Sequence, residues 1–451
     1  MKFIFADSLD YVDPNYDFLA DRSPSNREAY WDDQFPHEYL GYSPYDGILV
    51  SRAIVGGHQF AGKYTDSQAM RFRRVGAREF LRFREEEYPG TALFGDSGAF
   101  AYHKMAEPPY SAEDMIDFYG DGRFTHGCSV DHIIFQFLDL DEAQERAYAA
   151  SEDCAENRRR LEITLANAED FLRRSKRLGA CFTPLGVVQG WSPLSMAEAA
   201  RRLVRMGYTY LAIGGMAPLR SPQIHSALEA IRSAISPATR IHILGFAKAD
   251  EISEFCKHRI SSFDTTSPLI RAFKDARNNF YLPGEDGRLK YYSAIRIPQA
   301  LENNRIKNLV KEGVYRQEDL QRRERHALGA LRAFDRDECS LEDAVDAVMN
   351  YSAPIAIGRD EGHSPSDRSK LATIRERAER TLSERPWKQC SCAVCSGASI
   401  EAVIFRASNR NKRRGIHNLA VYRKHIEALR LGDSDRYAEI VDFPGSQSAA
   451  E

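Results

Sequence analysis

The feature that most limits the fold is a series of eight short runs rich in apolar, β-branched and aromatic residues, most of them separated by helix-like stretches. In order they are KFIFADS (2–8), GILVSRA (47–53), ALFGDSG (92–98), HIIFQFLDL (132–140), TPLGVVQG (183–190), YLAIGG (210–215), IHILGF (241–246) and SSFDTTS (261–267). Amphipathic segments such as SMAEAARRLVRMG (195–207) and HSALEAIRSAI (225–235) lie between them. Near-continuous apolar strands alternating with helices imply a parallel sheet covered by helices. Eight of them predict a (β/α)8 barrel over residues 1–280.

The strand ends carry polar groups: Asp96, Ser97 and Gly98; Asp139 and Asp141; Gln189 and Gly190; Gly214 and Gly215; Asp264. Any one of these is an ordinary turn or helix cap. In a barrel of this type, however, the C-terminal strand ends converge on one face. Polar groups on five of them read together as a site for a small planar ligand.

Eight cysteines are present. Five are scattered and read as reduced core residues. The other three form CSCAVC, with Cys390, Cys392 and Cys395, and His417 opens HNLAVYRKHIEALR downstream. Three thiolates and one imidazole complete a closed tetrahedral Zn²⁺ site, which is a structural rather than a catalytic arrangement. His425 is a second candidate for the imidazole, and a reduced or redox-active cysteine cluster is the other reading of the thiols. Residues 390–417 are therefore expected to form a zinc-binding subdomain, followed by a helix at 417–432 and a tail at 433–451. Between barrel and zinc, LENNRIKNLVKEG and LEDAVDAVMNYS read as helical and DEGHSPSDRS as a loop, so 281–389 is expected to be a mainly helical insertion.

A formal net charge of −3 argues against a uniformly basic nucleic-acid coat but leaves room for a local patch. Segment 401–430 has such an excess, centred on NRNKRRG with Lys412, Arg413 and Arg414. Arg271, Lys274 and Arg277 follow the last strand. These six read as phosphate contacts, against the alternative of a solvated face. The opening MKFIFADSLD has too short an apolar stretch for a signal peptide, and no long uncharged run follows. A cytoplasmic protein without membrane contact is expected.

The CSCAVC cluster followed by HNLAVY resembles the zinc signature of the tRNA-guanine transglycosylase superfamily. DSGAF (96–100), VVQG (187–190), LAIGGMA (211–217), HILGFAKADEI (242–252) and FDTTSP (263–268) resemble that superfamily's motifs and occur in its order. Two departures set the chain apart from the tRNA enzymes. Ser267-Pro268-Leu269-Ile270-Arg271 stands where they carry Pro-Thr-Arg, and HILGF lacks their base-stacking methionine, for which Leu244 or Phe246 could substitute. The opening ADSLDYVDPNYDF (6–18) resembles the DNA-modifying branch, the bacterial 7-cyano-7-deazaguanine DNA transglycosylases.

That resemblance implies a base exchange: guanine in DNA is replaced by 7-cyano-7-deazaguanine through a covalent intermediate. Asp264 would be the nucleophile and Asp96 the general acid/base. It also implies a companion ATPase and later enzymes that convert the nitrile. Asp139, Gln189 and the backbone at Gly214 and Gly215 are candidates for the base edge, with Asp141 an alternative to Asp139. Phe100 is either a stacking partner or a core residue, and Ser97 a ligand contact or a helix cap. Two other functions stay open: the same chemistry on tRNA, and a non-catalytic zinc-containing nucleic-acid-binding subunit.

Overall fold

The computed structural model describes residues 1–56, 61–284, 288–358 and 364–432. The chain divides into two compact units. The first comprises Met1–Leu9, Tyr45–Ser267 and the residues from Ile426 on; the second comprises Asp10–Pro44 and Pro268–His425.

The first unit is a closed, all-parallel barrel of eight strands: β1 (Lys2–Ala6), β2 (Gly47–Ser51), β3 (Ala92–Asp96), β4 (His126–Cys128), β5 (Thr183–Val188), β6 (Tyr210–Ile213), β7 (Arg240–Ile243) and β8 (Ser262–Thr265). Each pairs with the next, and β8 closes on β1 with Ile4 opposite Asp264. Alternate strand residues share a face. Ile4, Leu49, Ala92, Phe94, Cys128, Leu185, Val187, Tyr210 and Ala212 form one buried cluster. Carried one step further along each strand, that alternation reaches Asp96 after Phe94 and Gln189 after Val187. The polar ends of these strands therefore continue the interior face of the barrel.

Helices cover the outside for reasons legible in their sequences. The helix Pro193–Met206 starts with Pro in its first turn, is capped by the Ser192 side chain on the Ser195 amide and stops at Gly207 in a left-handed conformation. Ser221–Ala234 buries Ile224, Ala227, Leu228 and Ile231, the i, i+3, i+4, i+7 stripe of a one-sided helix.

The fourth strand is not where the apolar pattern places it. It is His126–Cys128, not HIIFQFLDL, which is irregular throughout. That run is apolar because Ile133 and Ile134 are buried, not because it belongs to the sheet. Its backbone amides are satisfied elsewhere: His132 by the Thr164 hydroxyl (2.9 Å), Ile134 by the Gln189 side chain (3.2 Å) and Leu138 by the Trp191 carbonyl (2.7 Å). The true strand holds a buried imidazole, His126, whose ring stacks on Phe94 at 4.2 Å. Burial keeps it neutral, with its pKa down at about 3.

The second unit contains a hairpin, β9 (Phe280–Pro283) with β10 (Leu289–Tyr292), and a short parallel pair, β11 (Ile295–Arg296) with β12 (Ile404–Phe405). Its longer helices are Asn304–Lys311, Gln317–Asp335, Leu341–Ile357 and Pro365–Glu384. Two of these lie in segments whose sequence reads as helical. The segment Asp10–Pro44 belongs to this unit rather than to the barrel. Val12 and Leu40 sit in its core, and Asp21 enters a buried ion cluster. In that cluster Asp21 contacts Arg406 and Arg410, Glu401 accepts from Arg410 and Arg332 at 2.7 Å each, and Glu324 contacts Arg406. Three carboxylates thus meet three guanidiniums, the balance that makes buried charge tolerable. The last helix is Ser408–Gly432, beginning before residue 417, so the basic run is helical. The tail at 433–451 lies outside the described residues. Among the described residues no helix is long and apolar enough to cross a membrane.

Candidate active site and metal centre

Three carboxyl groups gather at the C-terminal ends of the barrel strands. Asp264, on β8, is buried at 5% exposure. Its Oδ1 accepts from the Gly245 amide (3.0 Å) and meets His242 Nε2 at 3.1 Å. His242 Nδ1 lies 2.6 Å from the Ser262 hydroxyl, which lies 2.6 Å from the Tyr210 hydroxyl. Because a carboxylate only accepts, His242 Nε2–H donates to Asp264, and the Ser262 hydroxyl bridges His242 Nδ1 and the Tyr210 hydroxyl. One carboxylate oxygen is therefore fixed by two donors. The other, Oδ2, has no hydrogen bond among the described residues.

Asp96 ends β3. Ser51 and the Gly98 amide hydrogen-bond to it, but its Oδ1 is shielded from solvent without a partner. Burial is the first reason its pKa is pushed up to about 7; the charges of Asp264 and Asp131 add to it, and the Ser51 bond opposes it. A carboxyl group held there can both give and take a proton near neutrality. The chain leaves the strand through Gly98 at φ +79°, where a Cβ would fall 2.6 Å from that of Ala53.

The third carboxyl belongs to Asp131, which the apolar pattern does not single out. It follows β4 by three residues and is buried at 6% exposure. Gln189 Nε2 donates to its Oδ2 at 2.7 Å and the Ser97 hydroxyl to its Oδ1 at 3.3 Å. Tyr102 donates from its hydroxyl to Ser97 at 2.6 Å. Burial raises the Asp131 pKa to about 6 against the pull of the Gln189 and Ser97 bonds. Gly214 makes room for this arrangement: a Cβ there would stand 2.3 Å from Gln189 Nε2. Gly215, at φ +73°, lies beside the Ile134 carbonyl and Gln189.

Neither Asp139 nor Asp141 ends a barrel strand. Asp139 is exposed, and Asp141 caps the helix Glu142–Ala150 by accepting from the amides of Ala143 and Gln144. Both fall at a strand end only in the apolar pattern of HIIFQFLDL, which is not a strand. Ser97 is no helix cap; it is buried and tied to Asp131. Phe100 is no core residue. It is 68% exposed, with its ring edge-on to Phe135 at 6.0 Å and 89°.

Phe246 is fully buried and Leu244 half-buried. His242 was visible in HILGF, but only its bond to Asp264 gives it a role.

In the second unit, one ligand atom each from Cys390, Cys392, Cys395 and His417 lies within 4.8 Å of all the others. His417 Nδ1 is 3.4 Å from Cys392 Sγ and 3.3 Å from Cys395 Sγ. Its Nε2–H donates to the Tyr281 carbonyl at 2.8 Å, which fixes the tautomer and leaves Nδ1 for a metal ion. Phe280 stacks on the ring at 3.9 Å. The donor set fits a metal ion, and His417 rather than His425 completes it.

The basic run behaves differently from its sequence reading. Arg413 and Arg414 are buried, at 4% and 0% exposure. Arg413 donates to the carbonyls of Asp13 (2.7 Å) and Pro14 (3.0 Å). Arg414 donates to those of Ala272, Ala402 and Ile404 and to Asn411. Lys412 bonds the Tyr11 carbonyl at 3.2 Å. Lys412 and Arg413 bind carbonyls of the distant segment Asp10–Pro44, and Arg414 binds carbonyls within Pro268–His425. Arg271 is half-buried, while Lys274 and Arg277 are exposed.

No family model matches the chain. Over 440 residues it is 38% identical to a protein of Salmonella montevideo described as a DNA-guanine transglycosylase, a match covering 97% of this chain and 99% of that protein.

Proposed function

We propose the following reading for this chain, which belongs to the DNA-guanine transglycosylase family: it exchanges guanine in DNA for 7-cyano-7-deazaguanine by double displacement at Asp264. The carrying observation is the meeting of three carboxyl groups in unlike environments, with Asp96 held near neutrality by burial and by its two acidic neighbours.

Asp264 Oδ2 attacks C1′ of the target nucleotide while Oδ1 stays fixed by Gly245 and His242. The C1′–N9 bond breaks with its electron pair on the base, and Asp96 gives that base a proton. The incoming base then loses its N9 proton to the Asp96 carboxylate and displaces Asp264 from C1′. Two displacements return the original configuration. Asp131 accepts from N–H donors on the purine edge, and each of its oxygens keeps a lone pair beyond those engaged by Gln189 and Ser97. Gln189, Gly214 and Gly215 complete the edge, and Phe100 offers a face for the base to stack on. DNA as the polymer is supported by the relative's description rather than by the superfamily's tRNA enzymes. The Cys3His centre holds Zn²⁺ in a closed structural role. A companion ATPase belongs to the same reading.

The test is incubation with labelled 7-cyano-7-deazaguanine and either DNA or tRNA. Label is expected in DNA only. With DNA and no incoming base, a covalent protein–DNA adduct is expected for the wild type and none for Asp264→Asn. Label in tRNA, or full exchange by Asp264→Asn, would overturn the reading.

A further inference from the structure

Arg413 and Arg414 are buried on internal partners and offer no open phosphate contact. The second unit contains a cavity of about 480 Å³ between the end of the Ser267–Lys274 helix, the β11 segment and the helices Asn304–Lys311, Leu341–Ile357 and Pro365–Glu384. Five of its lining residues are cationic: Arg277, Arg296, Arg305, Lys370 and Arg377. None is acidic, in a chain with more Asp and Glu than Lys and Arg. Lys370 bonds the Ala356 carbonyl and Arg296 lies over the Phe405 ring. Arg277, Arg305 and Arg377 form no side-chain hydrogen bond or ion pair among the described residues. Elsewhere on these helices charges pair: Arg375 with Asp346 and Glu379, Arg380 with Glu384. The floor is apolar, made by Val348, Ile355 and Ile374.

Three unneutralised guanidiniums around an apolar floor complement a ligand with spaced anionic groups and an apolar plane. Guanidinium forks match phosphate oxygens, and the volume is that of a small-ligand pocket, typically about 300–1,000 Å³. We propose that this cavity is a second DNA contact, in which Arg277, Arg305 and Arg377 hold successive phosphates of one strand and an unstacked base rests on the floor. This rests on DNA being the substrate, and it adds a site lined by residues of the second unit alone.

The test is the double variant Arg305→Ala/Arg377→Ala, with Arg305→Lys/Arg377→Lys as its charge-preserving control. Removing two phosphate contacts should flatten the slope of log affinity against log salt by about 1.4 for single-stranded DNA. KM for DNA should rise several-fold, with kcat at saturating DNA unchanged. The Lys pair should restore the slope. A filling variant, Ala356→Phe, should weaken single-stranded DNA binding without changing the slope. A wild-type slope and KM in the Ala pair would overturn the proposal while leaving base exchange standing. Absence of exchange into DNA by the wild type would instead remove the functional reading beneath it. Stronger competition by free deoxynucleotide triphosphate than by an oligonucleotide of equal phosphate content would make this a nucleotide pocket and also overturn the proposal.

Discussion

Replacing Asp96 by Asn should make the barrel more stable, and more so at alkaline pH. The Asp96 pKa rises from 3.8 to about 7. At about 1.4 kcal/mol per pH unit, ionised Asp96 costs the folded state about 4 kcal/mol well above pH 7. The sign follows from which state holds the proton more tightly. The folded protein does, so the contribution is fully present below the unfolded value and is lost as pH rises through about 7. Between about pH 5.5 and about pH 8 the loss amounts to about 2 kcal/mol. Asn cannot ionise, so the stability advantage of Asp96→Asn over wild type should grow by about 2 kcal/mol across that interval.

Whatever Asn costs or gains in its bond to Ser51 is the same at both pH values and cancels in the difference. Because the chain has two units, a single global transition is a poor measure. The assay is a urea series at each pH with brief hydrogen-exchange labelling, read on peptides from β3 and β5. The same variant should lose about 10²–10⁴-fold in exchange rate, the usual worth of a positioned proton carrier. An advantage equal at both pH values would refute the argument, because Asp96 would then not be the group whose burial raises its pKa.

Wild-type kcat/KM should fall as pH rises through about 7, as the proton that Asp96 supplies is lost; a rate flat to about pH 9 would contradict this. Cys392→Ser should lose the bound metal, measured by metal analysis, and destabilise the second unit. Gly214→Ala places a Cβ 2.3 Å from Gln189 Nε2, so it should displace Gln189 and cut kcat/KM, with no loss of metal. Asp131→Asn should weaken use of the base, seen as a raised KM for it, whereas Asp139→Asn should behave as wild type. Arg414→Leu leaves several buried carbonyls without a donor and should cost the second unit about 3 kcal/mol in urea denaturation, with the salt slope of DNA binding unchanged.

What could be read from the sequence follows from how local each signal is. Strands β3, β5, β6, β7 and β8 announce themselves as apolar runs, and their polar ends fall where alternation carries them. The Cys3His cluster is legible because three of its members lie within six residues, although His417 sits inside the Ser408–Gly432 helix and does not open one. β4 was illegible because its interior position holds His126, a residue whose burial rests on stacking against Phe94 from another strand. Asp131 was lost with it, since a carboxylate near a strand end is informative only when the strand is located. The burial of Arg413 and Arg414 is illegible for the complementary reason. A charge excess over thirty residues says nothing about partners four hundred positions away, and Asp13, Pro14 and Asp21 are such partners. Both have one source: a polar residue's environment is set by non-local packing, whereas an apolar run carries its own reason to be buried. The polar groups most in need of structural placement are therefore the ones on which the proposed exchange relies. Asp131 depends on Gln189 from the next strand and on the bare Cβ position of Gly214 from the strand after that, a three-strand relation that no single stretch of sequence contains.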